Sequence, residues 1–357
     1  MSDELETLRD EIRALDRQLV EVTARRLELA RRVGDVKRDR GLPIRNYVVE
    51  AEAIKLARDL AEKLGVRPDS AEEMLKLEIR ESLRVQEQDR AAKTRAASTG
   101  ARALVIGGAG NMGRWFVEFL ESKGYDVAVS DPRGGSVKDV ASEAQRADLV
   151  IVATPPSATA SVLSSLKGAR GIVMDIASLK APHAEALRAL AASGTRATSL
   201  HPMWGPKADL LAGRNVVVCD CGSAEANAAG RALFADTAAN IVELPLGEHD
   251  RFMGLVLGLP HAVSLLFAHA LAEQPLALDD VTHLGGPTFQ KQVAVAREVA
   301  SENKDLYYEI QKLNPHTPDV LQGLRRSLDA LEASLAAREE FRAYMSRGES
   351  WFTEASR

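Results

Sequence analysis

The hydrophobic period of this 357-residue chain changes at residue 102, so the chain cannot be one uniform domain. Up to residue 92 there is no strand pattern. Leu5, Leu8, Ile12, Leu15, Leu19, Val22, Leu29, Val33 and Val36 alternate steps of three and four, the seam of one long packed helix. The spacing asks for an apolar residue at position 26, and the chain places Arg26 there. A helix from about 5 to 38 spans roughly 50 Å at ~1.5 Å per residue, more than the rest of the segment can cover. A second subunit is therefore expected. "RGLPIRN" breaks the helix, with Pro43 forbidding continuation. A second helix is predicted from about 46 to 64, and "PDSAEEM" starts a third, with Ser70 and Glu73 spaced as a capping box.

From 102 onward the runs "ALVIG", "DVAVS", "DLVIVAT", "GIVMDI", "RATSL" and "NVVVCD" alternate with helical stretches. That alternation predicts right-handed crossovers and a largely parallel, doubly wound sheet. After about 245 the strand patterns stop. The expected architecture is an all-α N-terminal domain (1–92), a small, polar linker (93–101), an α/β doubly wound Rossmann domain (102–245) and an all-α C-terminal domain (246–357). The last is expected to complete the active site and to pair two subunits.

A formal charge of −5 and the absence of any basic run leave no footprint for nucleic acid, so the expected ligands are small molecules. The two cysteines, Cys219 and Cys221, provide no disulfide framework, which fits a reducing cytoplasm. The N-terminus is charged from its third residue and carries no secretory signal pattern. "FMGLVLGLPHAVSLLFAHALA" (252–272) approaches the length of a membrane span, yet it contains Pro260, His261 and His269. It reads as a buried interface helix, with no membrane partner. The histidines show no metal-ligand spacing, so no metal is expected.

"LVIGGAGNMGRWF" (104–116) contains the phosphate turn. Gly108, Gly110 and Gly113 fit G-x-G-x-x-G between a strand and a helix. The first glycine makes the turn, the second admits a pyrophosphate to the backbone, and the third packs helix on sheet. Asn111 and Met112 lie within this turn, and Thr154 ends the third strand; all are assigned to the cofactor. Asp131, at the end of the second strand, is placed to hold a ribose 2′-hydroxyl and would repel a 2′-phosphate. NAD is the expected cofactor, and nearby Arg133 keeps NADP open.

"IGGAGNMGRWF", "MDIASLK", "HPMWGP", "EHDRFM" and "NKDLYYEI" together resemble prephenate dehydrogenase. "LRDEIRALD", "ARRLELARRVGDVK" and "ESLRVQEQ" resemble an all-helical chorismate mutase. In order and spacing nearly the whole chain is similar to the bifunctional chorismate mutase/prephenate dehydrogenase family of tyrosine biosynthesis. The resemblance implies that the front converts chorismate to prephenate and that the rest oxidises and decarboxylates prephenate to 4-hydroxyphenylpyruvate.

The pericyclic rearrangement needs no acid, base or nucleophile, only groups that hold a folded dianion and meet charge growing on the ether oxygen. Arg26 and Lys37 share a helix face, about 20° apart at ~100° per residue, while Arg9 is turned roughly 100° from Arg26. By resemblance, Arg26 binds one carboxylate, Arg9 reaches across from a partner subunit, and Lys37 serves the ether oxygen and a carboxylate. Glu50 holds the ring hydroxyl, Ser82 completes the pocket, and Gln86 donates to the ether oxygen. Where the family carries an Asp and an Arg after "LPIR", this chain has Asn46 and Val49, which removes one cation.

For the oxidation, His201 follows "RATSL" at the carboxyl edge of the sheet, where a neutral imidazole can take the hydroxyl proton. The resemblance gives it the same role. Ser178 is expected to hydrogen-bond the same hydroxyl or the cofactor amide, and Lys180 to contact cofactor or substrate. His261 matches a family histidine lining the pocket, with a buried structural histidine as the alternative. Arg297 is assigned to a substrate carboxylate although it stands one residue out of register, at the place next to Glu298; Lys291 is the other candidate. Three rival readings stay open: an arogenate dehydrogenase, a front segment that only dimerises or regulates, and a hydroxyacid dehydrogenase or pyrroline-carboxylate reductase sharing "GxGNMG".

Overall fold

A computed structural model describes residues 2–94, 100–208 and 211–354. Its contacts divide the chain into two units, residues up to 178 with 183–246, and residues 179–182 with 247–357.

In the first unit the helices α1 (Ser2–Asp39), α2 (Tyr47–Lys63) and α3 (Pro68–Thr94) form the front. The break after α1 is made by Gly41 rather than by Pro43. Gly41 adopts φ 65°, its N–H donates to the Arg38 carbonyl, and the Leu42 N–H reaches back to Lys37 at 2.8 Å. This paired ending satisfies the last carbonyls, and a glycine is the residue that enters the left-handed region without cost. Asn46 caps α2, accepting from the Val48 and Val49 N–H groups. The capping box expected at Ser70 is absent: α3 already starts at Pro68, so Ser70 lies inside the helix. Proline fits that first position because its fixed φ is helical and its missing N–H would have had no partner. Residues 95–99 of the expected linker lie outside the described residues.

The sheet has seven strands in the order β2-β1-β3-β4-β5-β6-β7. They are β1 (Arg102–Ile106), β2 (Asp126–Ser130), β3 (Leu149–Val152), β4 (Ile172–Asp175), β5 (Ala197–Pro202), β6 (Asn215–Asp220) and β7 (Asn240–Pro245). The crossovers are α4 (Asn111–Ser122), α5 (Val140–Ala144), α6 (Pro156–Ser165), α7 (Ala184–Ala192) and α8 (Ala224–Phe234). All six expected runs form strands, and β7 is one more. One pairing departs from the parallel rule: β5 and β6 are antiparallel, with His201 opposite Val217. No helix forms between them among the described residues, and a parallel pair needs a crossover.

The sheet buries both faces. One side packs Val105, Ile151, Met174 and Leu200 against an aromatic group from α4, α8 and the turn after β5, in which Trp204 stands 5.4 Å from Trp115 and 6.0 Å from Phe234. The other side packs Leu104, Val150 and Val173 against Leu163 and Leu187 of α6 and α7. A sheet covered on both faces explains the unbroken apolar runs that mark these strands in the sequence.

The second unit is helical: α9 (His249–Met253), a π-helical turn (Gly254–Gly258), α10 (Leu259–Ala272), α11 (Leu278–Leu284), α12 (Pro287–Ser301), α13 (Lys304–Leu313), α14 (Thr317–Ser334) and α15 (Arg338–Glu354). The helical run His249–Ala272 is long and apolar enough to cross a membrane, and 22% of its most apolar window is buried within the chain. Within the chain the expected interface helix buries His261, Ala262 and Ser264 and leaves Leu255, Val256 and Leu266 exposed.

Candidate active sites

In the front, α1 and α3 cross closely enough that a Cβ on Gly34 would stand 2.8 Å from Gln86 Cγ. Arg26 donates to the Glu78 carbonyl at 2.6 Å and to Ser82 Oγ, and its guanidinium lies 3.6 Å from the Glu78 carboxylate. The cation expected among oily neighbours thus meets an acid on α3, and its apolar companions are bare: Leu15 is 58% exposed and Leu19 55%. Ser82 and Gln86 are buried one turn apart on α3, and Gln86 Oε1 has no hydrogen-bond partner. A buried amide oxygen without a donor is costly. The partner it lacks is a hydrogen-bond donor.

Lys37 donates to the Ile44 carbonyl. Burial pulls its ammonium below the ordinary lysine range, Glu50 opposes that, and Arg90 adds to it. Glu50 is held by Arg45 through Nε and Nη2 at 3.1–3.2 Å. Arg45 was not assigned from sequence: it stands in the segment where Asn46 and Val49 depart from the family, and it restores a cation beside Glu50. Arg26, Lys37, Glu50, Ser82 and Gln86 therefore gather along the α1–α3 crossing. Arg9 does not. It is exposed on α1, roughly 25 Å along the axis from Arg26 at ~1.5 Å per residue.

The second constellation is built by the sheet. The carboxyl ends of β1, β3, β4 and β5 lie along one edge, and they carry Gly107–Gly113, Thr154, Ser178 and His201 respectively. Strand order reverses between β2-β1 and β3, which is where such sheets open a crevice. Gly107, missed in the sequence reading, has φ 85° and lies so close to β3 that a Cβ would stand 2.8 Å from the Ala153 carbonyl carbon. A Cβ on Gly113 would run into the Gly107 carbonyl oxygen, and one on Gly108 would lie 2.6 Å from Val129 Cγ1. The backbone turn is shaped by the absence of these side chains. Gly110 precedes α4 with no side-chain cap, so the first N–H groups of the helix are left for an anion.

Asp131 follows β2 and accepts from the Ala109 N–H at 3.1 Å and from Arg133 Nε at 3.1 Å. The Arg133 hydrogen bond, with backbone N–H groups behind it, pulls this carboxyl below its ordinary range despite burial. The turn, the uncapped helix and an ionised acid beside the turn fit a dinucleotide.

His201 is buried within β5. Its neighbour Trp204 is locked in the aromatic core, and Trp115 Nε1 donates to the Ala208 carbonyl at 2.7 Å, so "HPMWGP" is anchored just beyond the histidine. Behind Ser178 lies a pair that sequence reading missed. Buried Asp175 accepts from the Ala177 N–H at 3.0 Å and meets His183 Nε2 at 3.1 Å.

In the helical unit Lys180 is buried, and its N–H and that of Ala181 donate to Asp250 at 2.8 and 2.7 Å. Burial pushes the Asp250 carboxyl up, but His249 at 2.7 Å and the two N–H groups outweigh it and leave it below the ordinary range. The aspartate of "EHDRFM" is thus a clamp on the Lys180 backbone. His261 is buried, stacks on Tyr307 at 4.2 Å, and leaves Nδ1 without a partner. Burial pulls its pKa down, so the ring is neutral at pH 7. Arg297 is exposed on α12, as is Lys291. Burial pushes the Tyr307 hydroxyl up, and Glu302 just past α12 and Glu298 on it add to that.

Family models match in the order of these constellations: chorismate mutase type II over residues 8–87, the nucleotide-binding domain of prephenate dehydrogenase over 120–243, and the prephenate dehydrogenase dimerization domain over 246–347. The chain is 32% identical to the T-protein of Enterobacter agglomerans over 99% of its own length and 94% of the relative's. It is 31% identical to the T-protein of Haemophilus influenzae over 91% and 85%. A solved prephenate dehydrogenase from A. aeolicus, in complex with hydroxyphenyl propionate and NAD+, superposes with a TM-score of 0.58 at 19% identity, covering 72% of this chain and 99% of that one. At that identity the likeness concerns the fold. Two mutually consistent halves, each matched over its own segment and both matched together in the T-proteins, leave one assignment: the chain belongs to the bifunctional chorismate mutase/prephenate dehydrogenase family of tyrosine biosynthesis.

Proposed function

We propose specific roles for the residues of this bifunctional enzyme. In the mutase half Arg26 binds one carboxylate of chorismate, and Lys37 binds the other and the ether oxygen. Glu50 holds the ring hydroxyl, while Ser82 and Gln86 complete the donors. Positive charge fixed before the substrate arrives stabilises the developing oxyanion without reorganisation. Arg9 serves the same pocket from a second copy of the chain. The bare seam of α1 and the exposed face of α10 are the surfaces two copies would cover, so we take the working state to be a cytoplasmic homodimer.

In the dehydrogenase half the glycine turn and Asp131 bind NAD, which supplies a hydride acceptor for ring C4 of prephenate. Asp131 would repel a 2′-phosphate, and Arg133 beside it keeps NADP only as the weaker alternative. His201 takes the C4 hydroxyl proton, and carbon dioxide leaves from the opposite ring carbon as the ring becomes aromatic. Ser178 fixes the hydroxyl, and Lys180 contacts cofactor or substrate. His261 donates from a neutral ring to prephenate. Arg297 is retained as the carboxylate partner, while Glu302 and Glu298 are the acids acting on Tyr307 beside His261. Prephenate is taken as the substrate in preference to arogenate. We also propose the domain limits 1–92, 93–101, 102–245 and 246–357.

The observation that carries this reading is the separation of two polar constellations, one on helix faces and one on a sheet edge. The test supplies the purified chain with NAD and chorismate alone. NADH should form after a lag as prephenate accumulates. Formation of NADH from added prephenate but never from chorismate would remove the mutase role, and a faster rate with arogenate would replace the second substrate.

A further inference from the structure

The mutase pocket is not closed by the front helices alone. The loop after α1 runs through Ile44 and Arg45, and both are held by the dehydrogenase domain. Ile44 is 2% exposed and packs in a small apolar cluster with Leu83 of α3 and Ala238 of the turn before β7. Arg45 spends one edge of its guanidinium on Glu50 and gives Nη1 to the side-chain oxygen of Asn240 at 2.6 Å.

Asn240 is itself oriented. It opens β7, pairs with Asn215 across the strand, and donates its amide nitrogen to Asn215 Oδ1 at 2.9 Å. That leaves the oxygen facing Arg45. Further anchors flank this link: Arg90 of α3 donates to the Asp236 carbonyl at 2.9 Å, and Glu87 accepts from the Leu211 N–H at 2.9 Å.

From this chain of contacts we infer that Asn240, in the dehydrogenase domain, is a positioning residue for the mutase reaction, acting through Arg45 on Glu50. The inference rests on the mutase reading above. A guanidinium has donors on two edges in a rigid plane, so fixing one edge on Asn240 fixes the direction in which the other presents Glu50. Arg45 also neutralises an acid in a pocket meant for a dianion. Without it, Glu50 repels the substrate and turns toward Lys37, on which it already acts. The loss falls on binding of chorismate more than on the rate of rearrangement, because the cation at the ether oxygen stays in place.

The test uses the full chain. Asn240→Ala should raise the chorismate KM about fivefold with kcat within about twofold of wild type. Dehydrogenase kinetics with prephenate and NAD should not change. Asn240→Asp, which still accepts from Arg45, should behave as wild type. Arg45→Ala should raise the KM about tenfold, and the double variant should add nothing to it.

The proposal is overturned if Asn240→Ala leaves the chorismate KM unchanged, if Asp fails to rescue, or if the two substitutions add independently. Should Asn240→Ala not fold, Arg45→Ala decides alone: a wild-type chorismate KM overturns the proposal. A wild-type chain that consumes no chorismate removes the mutase reading and this inference with it, whereas an active wild type with an indifferent Asn240 removes only the inference.

Discussion

The two halves of this enzyme place charge by opposite means. At the sheet edge, strand ladders fix the backbone of three loops and of β5 itself, which bring the glycine turn, Thr154, Ser178 and His201. The functional groups are delivered already positioned by hydrogen bonds that run through the core. On the front helices the groups come from the faces of α1 and α3, with Lys37 and Glu50 bridged by a loop that leans on another domain. All nine apolar residues of α1's seam are exposed in one chain. The dehydrogenase domain supplies part of the missing rigidity through Asn240 and Ala238, and the proposed homodimer would supply the rest.

This contrast can be broken most sharply at Arg26. Arg26→Ala should lower mutase kcat/KM by roughly 10²- to 10³-fold, the size expected when one carboxylate of a partly buried dianion loses its cation. Dehydrogenase turnover on prephenate should stay within about twofold, and stopped-flow assays of each half would show it. A parallel fall in both rates would mean the halves are not separate sites.

His201→Ala should lower dehydrogenase turnover by about 10² or more and leave chorismate consumption intact. A smaller effect is expected at the phosphate turn. Gly113→Ala forces a methyl group against the Gly107 carbonyl, so the NAD KM should rise at least about tenfold, read by initial rates with prephenate saturating.

The pH profile sharpens the comparison further. Lys37 carries its charge below its folded pKa and loses it as pH rises, and burial moves that pKa downward. Mutase activity should therefore fall on the alkaline side before an ordinary lysine would titrate. Lys37→Arg should abolish that limb, because arginine stays charged. The smallest effect is Asn46→Ala, which removes the α2 cap. It should cost about 1 kcal/mol of stability by denaturant unfolding, with the dehydrogenase rate unchanged.

The same contrast explains what could be read from residues alone. The six strand runs and the glycine turn were legible because each is local, and the structure sets Asp131 beside that turn and His201 in β5. The seventh strand escaped because "NIVELP" has no unbroken apolar run and its residues are part-exposed on a sheet edge. The antiparallel β5–β6 pair depends on the lack of a crossover helix, not on either strand's composition. Gly41 ended α1 where Pro43 had drawn attention, since a left-handed glycine stops a helix as firmly as proline does. Arg45 with Asn240, and Asp250 with the Lys180 N–H, join positions far apart in the chain, and no spacing rule reaches them. Arg26 stood out only because its neighbours in the seam are apolar.

The central claim is that one chain carries two chemically distinct sites in series, and the most direct measurement supplies chorismate and NAD to the His201→Ala variant while quantifying prephenate and NADH together. The account predicts that prephenate accumulates one for one with chorismate lost and that NADH formation falls about 10²-fold. NADH produced at the wild-type rate, or chorismate left unconsumed, would contradict it.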